Sequence, residues 1–191
     1  MRKEKKLSSF YKESWDFVVE SRKEIYFAII IFVLFGLLGF LVSPTEEIQK
    51  IIYEKMAEIV LMFEGLNAWQ TIWTIFSNNL YVAFTSILFG LTAEIGTFFV
   101  DLFNGYIVGF VASEVVSQNG LLILWRLLPH GIFELPAIFI ALGLGFRIGK
   151  SFFAKEKTFS VFKKALRVLV LILLPLLIIA AIIEGLLVFY I

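Results

Sequence analysis

The sequence contains no cysteine, a single histidine and four prolines in 191 residues. Without cysteine there can be no disulfide, thiolate metal site or cysteine nucleophile. The lone His130 has no second histidine to join it in a metal-ligand pattern, so no metal and no cofactor is expected. Charge of one sign is also missing. Lys and Arg total 17 against 16 Asp and Glu, which leaves no electrostatic footprint for nucleic acid. No Ser/His/Asp order, phosphate loop or nucleotide fingerprint is present. No catalytic residue is assigned, and an enzyme is not expected.

What the chain does have is apolar bulk. It is 60% hydrophobic, against roughly 45–50% in soluble domains, which marks an integral membrane protein of single-domain length. Residues 25–42, IYFAIIIFVLFGLLGFLV, carry no charge. As a helix they cover ~27 Å, about the thickness of the bilayer core. No small-residue cleavage site follows, so this run reads as a retained span rather than a signal peptide. Ahead of it, residues 1–24 form a basic juxtamembrane segment. Phe10, Trp15, Val18 and Val19 lie among its charges, as in a helix on the membrane surface.

Beyond the first span, Ser43 and Glu46 have capping-box spacing, with Pro44 between them at the first helical position. Ile48, Ile51, Ile52, Met56, Ile59, Val60 and Phe63 then recur on one helical face. Residues 44–66 are therefore expected as an amphipathic helix, too charged to span, ending near Gly65. Trp69 and Trp73 suit an interfacial belt. Two short uncharged runs, 80–93 and 102–113, follow. Glu94 and Asp101 interrupt them and read as flanking a turn at the opposite face. A broken stretch covers 121–146, and residues 168–191 form a full-length span kinked at Pro175. The expected architecture is all-α and polytopic: about five transmembrane helices, one or more broken or re-entrant, plus interfacial amphipathic helices, in one transmembrane domain over 25–191.

Basic residues orient these spans. Residues 1–24 and 147–167 hold seven Lys/Arg each, whereas 43–77 holds only Lys50 and Lys55. The positive-inside rule places the N-terminus and the basic 147–167 loop in the cytoplasm and the C-terminus outside the cell membrane. Helix 44–66 is then extracytoplasmic. Four spans between residues 25 and 146 satisfy the same rule.

Ionisable groups inside spans are costly and face protein or water. Arg126, His130, Glu134 and Glu184 lie in or near spans, with Asn78, Asn79 and Asn104 as polar neighbours. Counted from the expected outer face, His130, Glu184 and Asn79 share the outer half of the membrane. A polar intramembrane cluster of Asn78, Asn79, Asn104, His130, Glu134 and Glu184 is the candidate site. Pro129, Gly131 and Pro136 mark a helix break beside it. Pro129 suits a helix start, and Pro136 removes a backbone hydrogen bond one turn on. The element is therefore expected as a half-helix or re-entrant segment packed on spans two, three and five.

These residues also carry a family resemblance. Asn78-Asn79, Gly90, Phe103-Asn104-Gly105 with Gly109, Pro129-His130-Gly131 with Glu134, Pro136 and Ala137, and Ala180-Ala181 with Glu184 resemble the stage II sporulation protein M family of integral membrane proteins. The resemblance covers roughly residues 70–190. It implies a membrane scaffold with cell-wall hydrolase partners in sporulating members. Two readings of function stand. One is an oligomeric scaffold that organises or remodels membrane, with the lipid bilayer, further copies of itself and a membrane or extracytoplasmic protein as partners. The other is a transporter or channel with its site at His130, Glu134 and Glu184.

Overall fold

The computed structural model describes residues 2–123, 128–154 and 156–190. Its elements are α1 (Arg2–Glu20), α2 (Arg22–Leu41), α3 (Glu46–Phe63), α4 (Ala68–Phe89), α5 (Ile95–Asn119), α6 (Leu128–Ser151), α7 (Thr158–Val168) and α8 (Leu174–Tyr190). A 3-10 turn, Gly90–Thr92, extends α4, and a π turn, Leu169–Leu173, joins α7 to α8. All of these elements are helical, as composition demands of a chain that must satisfy its backbone within lipid.

Among the described residues, four helices are long and apolar enough to cross a membrane: Arg22–Leu41, Ala68–Thr92, Ile95–Asn119 and Thr158–Leu187. The fifth long helix, α6, packs against α2, α4 and α8 and supplies much of the core. Ala137, Ile138, Ala141, Leu142, Leu144, Phe146 and Ile148 are all buried. Edge-on ring pairs, Phe27 with Phe146 and Phe32 with Phe139, lock α6 to α2 at centroid distances of 5.0 and 5.2 Å. Because α6 runs unbroken through Pro136 to Ser151, it is a continuous helix and not the expected half-helix or re-entrant segment. Pro136 is exposed, so the missing N–H sits where the ladder can open without burying an orphaned carbonyl. The break in regular helix comes instead before Pro175. There the ladder widens, and the Leu174 N–H donates to the Leu169 carbonyl. Proline crowds the carbonyl four residues earlier, and a π turn is one way to relieve it.

Local chemistry sets the other ends. Asn67 caps α4 reciprocally: its side-chain oxygen accepts from the Gln70 N–H at 3.0 Å, and Gln70 Oε1 accepts from the Asn67 N–H at 3.0 Å. The span thus begins at Ala68 rather than at residue 80. The turn between α4 and α5 is made by Ala93 and Glu94, both at positive φ (52° and 75°). Helix α3 starts after Thr45, with no side-chain cap bond, so the expected Ser43–Glu46 capping box does not form. Gln49 instead reaches back and donates to the Pro44 carbonyl at 2.9 Å.

The basic end of the bundle holds α1, the start of α2, the end of α6 and α7. The segment 147–167, expected as a loop, is mostly helical: the last turn of α6, a short connection and most of α7. Phe17 and Val18 of α1 are buried in one cluster with Val161, Ala165 and Val168, while Trp15 and Val19 stay exposed. Ion pairs tie the surface. Lys150 meets Glu24 at 2.5 Å, Arg147 donates to both Glu156 oxygens at 2.7 Å, and Arg167 meets Glu13 at 2.8 Å.

Candidate functional site

Two helix contacts set the depth scale. Gly145 of α6 lies against Ser86 of α4, and Gly185 of α8 lies against Ile72 of α4. Helices α4 and α6 run the same way, so counting back from Gly145 brings Glu134 level with residue 75 of α4. The His130 backbone falls about a turn farther toward the end opposite the basic one. Helix α8 runs against them, and its Glu184 comes level with residue 73. Glu134 and Glu184 are thus within ~3 Å of each other along the bundle axis, and Asn79 lies ~6 Å deeper than Glu134.

Their faces agree with this. Glu134, Ala137, Ala141 and Gly145 follow helical spacing, and the last three are buried. Glu184 stands one turn from buried Ala180 and Ala181. Three elements therefore bring Asn79, Glu134 and Glu184 to neighbouring levels of one interior. Side-chain surroundings of Pro129, His130 and Gly131, and all of Arg126, lie outside the described residues. The backbone places Pro129, His130 and Gly131 in the first turn of α6.

The three asparagines differ from expectation. Asn79 is buried halfway along α4, because the helix begins eleven residues before it; it does not open the span. Asn78 is half-buried, and its amide donates to Asn79 Oδ1 at a long 3.5 Å. Asn104 donates to its own helix at the Val100 carbonyl, 2.6 Å away. It lines an apolar surface groove with Tyr81, Val82, Phe99 and Phe103, so it faces away from the cluster.

Asp101 is the residue that sequence reading misplaced. It does not flank the turn but stands two turns into α5, with no exposed surface. Thr97, Asp101, Gly105 and Gly109 form the buried face of this helix. The signal was available: Asp101 is spaced four residues from Gly105 and eight from Gly109, which places a carboxylate on the small-residue packing face. At the basic end, Glu94 lines a surface groove with Lys23, Glu24, Phe27, Phe146 and Lys150. Burial raises the Glu94 carboxyl above its ordinary value; nearby Glu24 adds to the rise and Lys150 opposes it. Beyond the membrane, the Arg147 guanidinium holds Glu156 below the usual carboxylate range.

Among the described residues no group of three or more His, Asp or Glu could hold a metal ion.

Comparison with known proteins agrees with this architecture. No solved structure matches the chain. The chain is similar to two proteins of Methanocaldococcus jannaschii. With Uncharacterized protein MJ0793 it is 38% identical over 77 residues, 39% of this chain and 43% of the relative. With Uncharacterized protein MJ0706 it is 26% identical over 186 residues, 87% of this chain and 82% of the relative. The chain therefore spans less than half of the first relative and most of the second. The family model described as Stage II sporulation protein M matches residues 28–188, from the first span nearly to the end of α8. With four helices long and apolar enough to cross a membrane among the described residues and the family match over most of its length, this chain is a membrane protein and belongs to the stage II sporulation protein M family.

Proposed function

We propose that the protein is a non-enzymatic membrane organiser, a self-associating scaffold in the cell membrane with its basic end in the cytoplasm and its C-terminus outside. The observation that carries this reading is α3. Its own bundle covers little of it: Ile52 is buried and Tyr53 meets Phe110 at 6.0 Å between ring centroids. Ile48, Ile51, Ile59, Val60, Leu61 and Met62 remain exposed. An amphipathic helix that keeps its apolar side uncovered is suited to the lipid interface, to a second copy or to a membrane or extracytoplasmic protein. The resemblance to the stage II sporulation protein M family, which implies a membrane scaffold with protein partners, supports this reading.

Because the chain has no cysteine, single cysteines can be placed at Ile59 and Met62 without competing thiols. The expected result is disulfide-linked dimers in native membranes and a multimeric mass in mild detergent. A strict monomer with no crosslinked species would overturn the scaffold reading.

A transporter or channel is the second reading, favoured by the shared level of Glu134 and Glu184, with Asn79 about a turn deeper. Proton or cation flux into liposomes, compared with Glu134→Gln, tests it. No flux under any gradient would remove it.

A further inference from the structure

Asp101 on α5 and Asn79 on α4 are both buried, and each carries polar atoms that no described residue satisfies. Asp101 is 0% exposed and Asn79 4% exposed. Neither Asp101 oxygen, nor the Asn79 amide nitrogen, has a hydrogen-bond partner among the described residues. Thr97 donates from its hydroxyl to the Ser86 carbonyl at 3.3 Å, which fixes the register of antiparallel α4 and α5. Asp101 lies four residues beyond Thr97, or ~6 Å, and Asn79 seven residues beyond Ser86, or ~10 Å, in the same direction. The two are thus offset by ~4–5 Å along the axis.

No positive charge faces this position among the described residues. Between Lys55 and Arg126 the sequence has neither Lys nor Arg. On α2, the only titratable group from 25 to 41 is Tyr26, and on α4 it is Tyr81; both are exposed. Helix α6 has none between Glu134 and Arg147. Arg147 is engaged by Glu156 and Lys150 by Glu24. The remaining titratable groups on α5 are Glu94, Tyr106 and Glu114, and α8 contributes only Glu184 and Tyr190. An ionised carboxylate here would be buried without a counter-charge or a donor, at a cost that forces neutralisation. A hard metal cation would need about six oxygens. Beyond Asp101 itself, the Thr97 hydroxyl and the Ser86 carbonyl are already engaged with each other and lie about a turn away.

We infer that Asp101 forms a proton-binding site in the membrane interior, with the aspartate as a neutral carboxylic acid that exchanges its proton with the basic end. Thr97 stands one turn before Asp101 on the buried face of α5, and Glu94 sits in the turn just ahead of the helix, on the side from which the proton would exchange. Glu94 lines the surface groove shared with Glu24 and Lys150. This site is independent of the scaffold reading and lies deeper than Glu134 and Glu184.

The sequence makes the test direct, since the other aspartate is Asp16, exposed on α1. In the full chain carrying Asp16→Asn, an aspartate-specific carbon-13 carboxyl label reports on Asp101 alone. Infrared spectra in phosphatidylcholine liposomes at neutral pH should show a labelled carboxylic-acid C=O band. It should shift when water is replaced by D2O, and it should be missing from the double variant with Asp101→Asn. A labelled carboxylate band at neutral pH would overturn the inference and point to a bound cation. A C=O band that stays unshifted after prolonged D2O exposure would overturn the exchange route. The reporting variant keeps Asp101, so a folding defect from replacing that residue does not confound the result.

Discussion

Gly109 of α5 lies directly against Gly36 of α2, so close that a Cβ on Gly109 would come 2.7 Å from the Gly36 carbonyl carbon. The same seam continues with Gly105 against Phe32 and Gly39 against Tyr106. Small residues let two backbones touch where lipid offers no hydrophobic drive toward association. Tyr106 adds a hydroxyl that donates to the Val42 carbonyl at 2.9 Å.

Gly109→Ala should therefore weaken the bundle, because backbone cannot step aside as a flexible side chain can. Overpacking of this kind costs about 1–3 kcal/mol. Gly96→Ala is the contrast, since a Cβ there meets chiefly side-chain atoms of Thr92 and Phe89. Thermal melts in detergent should place Gly109→Ala clearly below Gly96→Ala. Equal melting temperatures would mean that α2 and α5 separate without loss.

Glu134→Leu should destabilise more than Glu156→Leu. Glu134 stands on the inward face of α6, and losing its carboxylate strands the groups it serves, at about 1–3 kcal/mol for a buried partner left unsatisfied. Glu156 is 46% exposed and pairs with Arg147 at the surface, where such pairs are worth roughly 0–1 kcal/mol. If both variants melt together, Glu134 is not holding the interior.

Two glutamates at the basic end should give pH dependences of opposite sign. The raised Glu94 carboxyl keeps its proton in the folded state to a higher pH than in the unfolded chain. Its contribution is therefore full below the ordinary glutamate value and is lost as pH rises through the raised one. Wild type should fall relative to Glu94→Gln across that interval. Glu156 is lowered, so its contribution is full above the ordinary value and fades as pH drops through the depressed one. Melting temperatures from acid to neutral pH should show the wild-type advantage over Glu156→Gln shrinking on acidification. Parallel curves for either variant would contradict its assignment.

The first span, the amphipathic α3 and the last span were legible because each is a long run of one pattern. The start of α4 was not. Its Asn67-Ala68-Trp69-Gln70 cap is a recognisable box, but Trp69, Gln70, Thr71 and Trp73 dilute the apolar signal, so hydropathy alone starts the span at residue 80. Asn79 then reads as lying at the outer face, whereas the helix buries it in mid-span. Asp101 was lost for a related reason: a charge reads as a turn when periodicity is scored by hydropathy alone. The half-helix expectation at Pro136 fails because an exposed proline can forgo its backbone hydrogen bond without ending the helix.

Helix α3 gives a prediction about stability that does not depend on what it binds. Since the bundle covers little more of it than Ile52 and Tyr53, changing Ile48, Ile51, Ile59 and Val60 to serine removes side chains that are all exposed. Surface changes of this type fall within about 0.5 kcal/mol each. The melting temperature of the four-fold variant in detergent should stay near wild type, whereas Ile52→Ser alone should lower it. A collapse of the four-fold variant would place α3 in the core. Retained stability with loss of the crosslink through a cysteine at Met62 would assign its apolar face to assembly.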